Sequence, residues 1–133
     1  MSVSGTPPYD PTNIFARILR NEIPSRRIFE DEHAIAFHDI APQAPTHVLV
    51  IPRGPYVALP DFMQHATDAE ILGFWRAVAT VARQLGLEDP GYRILANKGH
   101  HAGQEVPHLH VHLFAGRPLG PMLGFDPHTA DPG

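Results

Sequence analysis

Two periodicities run along the chain. From Thr67 to Gly86 the period is helical: Ile71, Leu72, Trp75, Val78, Ala79, Ala82 and Leu85 recur on one stripe. Thr67 and Glu70 form a capping box ahead of them, and Gly86 supplies the stop. Phe74 and Val81 lie off that stripe, so the predicted helix is apolar over more than one face. The surplus needs a cover, either a homodimer partner or loops of the same chain. A shorter helix is predicted over Asn13 to Arg20, with Asn13 as cap, Ile14, Phe15, Ile18 and Leu19 on one stripe, and Pro24 beyond its end. The other period is two. From His108 to Leu113 polar and apolar residues alternate without exception, the mark of a strand with two different faces. Arg27 to Glu30 and Ala34 to His38, separated by Asp31 and Glu32, read as an antiparallel hairpin. His47 to Pro52, Tyr92 to Ala96 and His108 to Ala115 complete five predicted strands. Two helices, five strands and short links predict an α+β domain on an antiparallel sheet.

Composition narrows this picture. The 133 residues, 43% of them apolar, suffice for one compact domain. Pro is concentrated at both ends, so residues 1–12 and 125–133 are expected to be irregular arms around a domain at 13–124. Ten Lys and Arg stand against 14 Asp and Glu, a net charge of −4 that lacks a basic nucleic-acid footprint. With no cysteine, disulfides, thiol catalysis and Cys-ligated zinc are excluded. The N-terminal arm lacks the basic and apolar regions of a signal peptide. No apolar run approaches the ~18 residues of a membrane span, so a cytoplasmic location is expected.

Ten histidines are the chemical feature of the composition. His33, His65, His100, His101 and His128 are scattered and read as ordinary polar residues. His108, His110 and His112 do not, because period-two spacing projects them together from one side of the strand while Leu109, Val111 and Leu113 face the core. A metal site is one reading of such a row. At a rise of roughly 3.3 Å per residue the outer two are about 13 Å apart, whereas zinc sits only about 2.0 to 2.1 Å from its nitrogen ligands. All three cannot share one ion. Two of them with His47, Asp39 or Glu105 could, so a His-x-His metal centre stays open. The other reading is phosphate chemistry without a metal: one neutral imidazole attacks phosphorus while its other nitrogen is fixed by an acceptor, and its neighbours hold the oxygens.

His108 to Phe114 fits His-φ-His-φ-His-φ-φ, with φ apolar, and thereby resembles the histidine triad (HIT) superfamily. Ile14-Phe15, Asn21-Glu22-Ile23-Pro24, Ile28-Phe29-Glu30-Asp31, Ala36-Phe37-His38-Asp39-Ile40, Pro42-Gln43-Ala44-Pro45-Thr46-His47 and Gly103-Gln104 occur in the order of its nucleotide-binding (HINT) branch. Gly116-Arg117-Pro118-Leu119-Gly120-Pro121-Met122 is similar to bacterial members. The resemblance implies a homodimer whose two five-stranded sheets join. It also implies a bound purine nucleoside monophosphate or its phosphoramidate, and hydrolysis of a P–N bond at the α-phosphate without a cofactor. By position, His110 would be the nucleophile forming a nucleotidyl-histidine. His108 and His112 would flank it, His112 at the phosphate, and His47 would complete the cluster. Asp39 would bind the ribose hydroxyls, Phe37, His38 and Ile40 would shape the base pocket, and Asn97, Gln104 and Glu105 would lie near the phosphate. The residues themselves allow plainer readings. Asp39 before Pro42 also suits a turn, Asn97 before Lys98-Gly99 does too, and His47 suits an ordinary strand end.

The chain departs from the family pattern twice. Glu105 stands where many members carry Ser or Thr, so a hydroxyl donor to the leaving group is missing. Pro107 replaces a common aromatic residue and removes a backbone donor at the strand start. Besides a phosphoramidase, the sequence accommodates a dinucleoside polyphosphate hydrolase, a nucleotide-binding adaptor without catalysis, and the metal-dependent hydrolase above.

Overall fold

The computed structural model describes residues 1–124, and the expected tail at 125–133 lies outside the described residues. In chain order the elements are α1 (Ile14–Leu19), β1 (Arg27–Glu30), β2 (Ala34–His38), β3 (Thr46–Pro52), α2 (Leu59–His65), α3 (Asp68–Gln84), β4 (Arg93–Leu95), a 3-10 turn (His100–Ala102) and β5 (Val111–Ala115). The five strands form one antiparallel sheet in the order β1-β2-β3-β5-β4. The expected fold class and both hairpin strands are as read from the sequence.

Local chemistry sets the helix ends. Asn13 caps α1 by accepting from the Ala16 N–H at 2.9 Å. Thr67 Oγ1 accepts from the Glu70 N–H at 3.1 Å and Glu70 accepts from the Thr67 N–H at 3.1 Å, the reciprocal pair expected for α3. Past its end, Gly86 adopts φ +73° while Leu87 N–H reaches back to the Ala82 carbonyl at 3.0 Å. Helix α2 is an addition to the two helices expected. It starts at Leu59-Pro60, and the buried carboxylate of Asp61 accepts from the Val57 and Ala58 N–H groups at 2.8 and 2.9 Å.

Two expectations need correction. The buried side of α3 is Phe74, Ala77, Val78, Val81 and Ala82, so the two residues off the predicted stripe sit at its centre, and Leu72 and Leu85 are exposed. The stripe drawn from Leu72 to Leu85 had mixed residues from both flanks of a broadly apolar helix. The last strand is also shorter than the alternation suggests. It begins at Val111, because Leu109 N–H donates to the Tyr56 carbonyl at 2.8 Å rather than to a neighbouring strand.

Strand alternation gives the sheet two apolar faces. Ala34, Ala36, Val48, Val50, Val111 and Leu113 pack with Phe62, Phe74, Val78 and Val81 from α2 and α3. Ile35, Phe37, Leu49 and Ile51 pack on the opposite face with Phe15 and Ile18 of α1. A six-residue helix covers only part of that second face, and the functional cavity opens beside it.

Candidate active site

The cavity measures about 370 Å³ and is lined by Phe15, Asp39, Gln43, Leu49, Asn97, Gln104, Glu105, Val106, His110 and His112 among others. Sheet register explains the convergence. Leu49 of β3 lies opposite His112 of β5, and His47 lies opposite Phe114, so His47, Leu49, His112 and Phe114 share the α1 side of the pleat. His47 and His112 are diagonal neighbours, and their rings meet with Nε2 and Nδ1 2.9 Å apart.

Hydrogen-bond partners assign the tautomers. The Gln43 N–H donates to His47 Nδ1 at 3.1 Å, so the His47 proton sits on Nε2 and donates to His112 Nδ1. His112 then carries its proton on Nε2, as a donor. His110 is fixed in the opposite sense: its Nδ1–H donates to the His108 carbonyl at 2.7 Å, which leaves the Nε2 lone pair free. Burial holds these imidazoles neutral. It lowers the His110 pKa against the opposing His108 carbonyl and Asp39 charge. It brings His112 down to about 4, helped by His110 and His47, and lowers His47 against the pull of Asp39.

His108 is not in the cavity. Its ring is fully buried, with Nε2 donating to the Pro52 carbonyl at 2.9 Å and Nδ1 2.6 Å from the Tyr9 hydroxyl. The expected row of three is thus split into one internal and two cavity-lining histidines, because Tyr9, Phe15 and the Pro52 carbonyl enclose His108.

Asp39 closes the turn that its place before Pro42 suggests, and it faces the histidine cluster. Its Oδ1 accepts from the Ala41 N–H at 2.8 Å, closing the turn, while Oδ2 lies 3.4 Å from His47 Nε2. It also lines a second cleft of about 530 Å³ with Pro24, Arg26, His38, Ile40 and Pro42, so one carboxylate stands between the two cavities. Ile40 is 96% exposed there. Phe37 is buried against Phe15, ring centroids 5.6 Å apart, and reaches the site only through that packing. Asn97 and Glu105 line the first cavity. The Gln104 amide is wholly used in tying the 99–106 loop together and to Val57: Oε1 accepts from the Gly99 N–H, and Nε2 donates to the Val57 and Val106 carbonyls. A larger cleft of about 660 Å³ beside Leu87, Tyr92, Arg93 and Arg117 shares no residue with the histidine cluster.

Asp39, His47 and His112 offer ligand atoms within 4.8 Å of one another, the set among the described residues that could hold a metal. The donor types suit zinc or iron. The protonation pattern does not, because the Gln43 N–H occupies His47 Nδ1 and forces the proton onto the nitrogen that would have to bind.

Sequence reasoning gave no role to Phe15, Gln43, Leu49 and Val106. Leu49 could have been found two residues after His47 on the same face of β3, and Phe15 from the α1 stripe. The Pro52 carbonyl and Tyr9 have no local signal, since each acts through a tertiary contact, and the Gln43 N–H acts as a main-chain group that its side chain does not advertise.

Comparison with known proteins converges on one family. The HIT domain model matches residues 20–119. A 13.2 kDa HIT-like protein of Azospirillum brasilense is 65% identical over 115 residues, 86% of this chain and 94% of its own length. The purine nucleoside phosphoramidase of Escherichia coli is 46% identical over 112 residues, 83% of this chain and 92% of its own. Among solved structures, a HIT family hydrolase from Legionella pneumophila superposes with a TM-score of 0.74 at 36% identity, covering 82% of this chain and 96% of that one. A histidine triad protein from Clostridium difficile gives 0.73 at 37% identity, covering 82% and 94%.

Proposed function

The chain belongs to the HIT family, and we propose that within it this protein hydrolyses purine nucleoside 5′-phosphoramidates through a nucleotidyl-histidine on His110. The observation that carries the reading is the His110 Nδ1–H bond to the His108 carbonyl, which aims a neutral Nε2 lone pair into a cavity bounded by Asp39 and His112. His110 Nε2 attacks the α-phosphorus, and the P–N bond breaks as the amine takes a proton from solvent. His112 Nε2–H donates to a phosphate oxygen. Water then attacks phosphorus and gives one proton back to solvent, the bond to His110 breaks, and the lone pair returns as the nucleoside monophosphate leaves. Asp39 binds the ribose hydroxyls from its place between the two cavities, and His38 and Ile40 line the cleft for the base. The likeness to the Escherichia coli phosphoramidase supports this substrate class.

Among the residues lining the catalytic cavity there is no Lys or Arg, while Asp39 and Glu105 are both present. This charge pattern favours an amine leaving group over the polyanionic tail of a dinucleoside polyphosphate. We also propose a homodimer. The outer edge of β4 has no neighbour in the sheet, and Leu72, Leu85, Tyr92 and Ile94 are exposed nearby in sequence and on α3. Light scattering should give twice the 14.6 kDa chain mass.

The test is a single-turnover panel of adenosine and guanosine phosphoramidates beside diadenosine polyphosphates, with and without chelator, followed by mass spectrometry of quenched enzyme. The expected result is a chelator-insensitive adduct on His110 from the phosphoramidates. Activity lost on chelation and restored by zinc, with no adduct on His110, would overturn the reading.

A further inference from the structure

The arm at 1–12 contains no helix or strand, yet it is seated on the domain at several points. Val3 N–H donates to the Gln104 carbonyl at 2.7 Å, and Lys98 Nζ donates to the Ser4 carbonyl at 3.1 Å. Asp10 closes a turn on Thr12, accepting from its N–H and hydroxyl at 2.8 and 2.6 Å. These contacts deliver Tyr9 edge-on to His108, ring centroids 5.6 Å apart and the hydroxyl 2.6 Å from Nδ1.

We propose that Tyr9 is a positioning residue for the reaction, its hydroxyl holding the place of buried His108 and, through the His108 carbonyl, the aim of the His110 lone pair. The direction of each bond follows from its partner. The Pro52 carbonyl only accepts, so His108 Nε2 carries the proton, Nδ1 is a lone pair and the Tyr9 hydroxyl donates. His108 is buried among Tyr9, Phe15 and the Pro52 carbonyl, so Nδ1 has no second donor. Burial keeps the ring neutral, with a pKa near 4, against the opposing Pro52 carbonyl and Asp61 and with the help of His110. Removing the hydroxyl strands a buried acceptor, and the ring can relieve this only by admitting water or turning, either of which moves the carbonyl that holds His110. Tyr9 lies outside the residues 20–119 matched by the HIT domain model.

The inference rests on His110 being the nucleophile, and the experiment separates the two. Tyr9→Phe keeps the ring and deletes only the donor. Expected are at least a tenfold slower single-turnover formation of the His110 adduct, a KM for adenosine phosphoramidate within twofold of wild type, and a displaced His108 Nδ1 ¹⁵N signal that reports the lost hydrogen bond while Nε2 keeps its proton. A merely structural contact would lower the melting temperature without this split between kcat and KM. An adduct forming at the wild-type rate in Tyr9→Phe overturns the role of Tyr9 and leaves His110 standing. No adduct in the wild type overturns both. Should Tyr9→Phe fail to fold, Lys98→Met, which releases the arm from an exposed side chain, carries the same measurements with the same expected direction.

Discussion

On the side of the sheet facing α3, strands β2, β3 and β5 contribute Ala36, Val48, Val50, Val111 and Leu113, and a helix of 17 residues seals them completely. On the other side the same three strands contribute Phe37, His47, Leu49 and His112, and the cover is the six residues of α1 with Ile23 and Val106 from flanking loops. Strand geometry is the same on both faces, because alternation forces it. What differs is the cover. A full-length helix turns one face into packing; a short one leaves a cavity in which neutral imidazoles sit between the apolar floor and solvent. Burial here is incomplete, enough to strip the histidines of their charge while His110 and His112 still line a cavity.

The sharpest way to break this contrast is at His110, on the open face. His110→Asn should abolish the covalent step, lowering turnover by thousands-fold at least, since each ~1.4 kcal/mol of barrier is tenfold in rate. Nucleotide binding, measured by calorimetry, should persist. Near-normal turnover would remove His110 from its role.

On the sealed face the expectation is reversed. Phe74 has no exposed surface and contacts Phe62 and Trp75 edge-on, so Phe74→Ala should cost about 3–5 kcal/mol of stability. Below its melting transition the variant should keep wild-type kcat. A loss of kcat with an unchanged denaturant midpoint would mean that the two faces are not separable.

Acid probes the histidines themselves. His108 is neutral in the fold down to a pKa near 4, against an ordinary value of 6.5, so the unfolded chain binds its proton first. The stability it contributes is therefore complete above pH 6.5 and lost as pH falls from there to about 4, on the order of 3 kcal/mol from this one group. Urea titrations across that window should show the decline, steeper in wild type than in His108→Gln. Because burial lowers the His110 pKa in the same direction, adduct formation should fade in acid with a midpoint below the ordinary 6.5. A midpoint above 6.5 would contradict the assigned environment.

Much of this site was legible before any coordinates, for a specific reason. His110, His112 and His47 announce themselves by alternation and motif order, Asp39 by its place at the end of a strand, and the α3 cap by a reciprocal pair three residues apart. Each is a local pattern. The buried side of α3 was not legible, because Leu72 and Phe74 are equally apolar and only packing separates them. Nor was the state of the imidazoles. It depends on the Gln43 N–H, the His108 and Pro52 carbonyls and the Tyr9 hydroxyl, which are main-chain groups or residues far along the chain.

The strand order β1-β2-β3-β5-β4 has a consequence for biosynthesis. Among the described residues, strand β4 hydrogen-bonds only to β5, and β5 wedges between β4 and β3 although it follows both in the chain. While the nascent chain ends before Val111, β4 has no partner and the inner edge of β3 is open, a template for pairing with other chains. The segment that closes this gap is the one that carries His110 and His112. Completion of the sheet and arrival of the reactive groups are thus a single event in the life of the polypeptide.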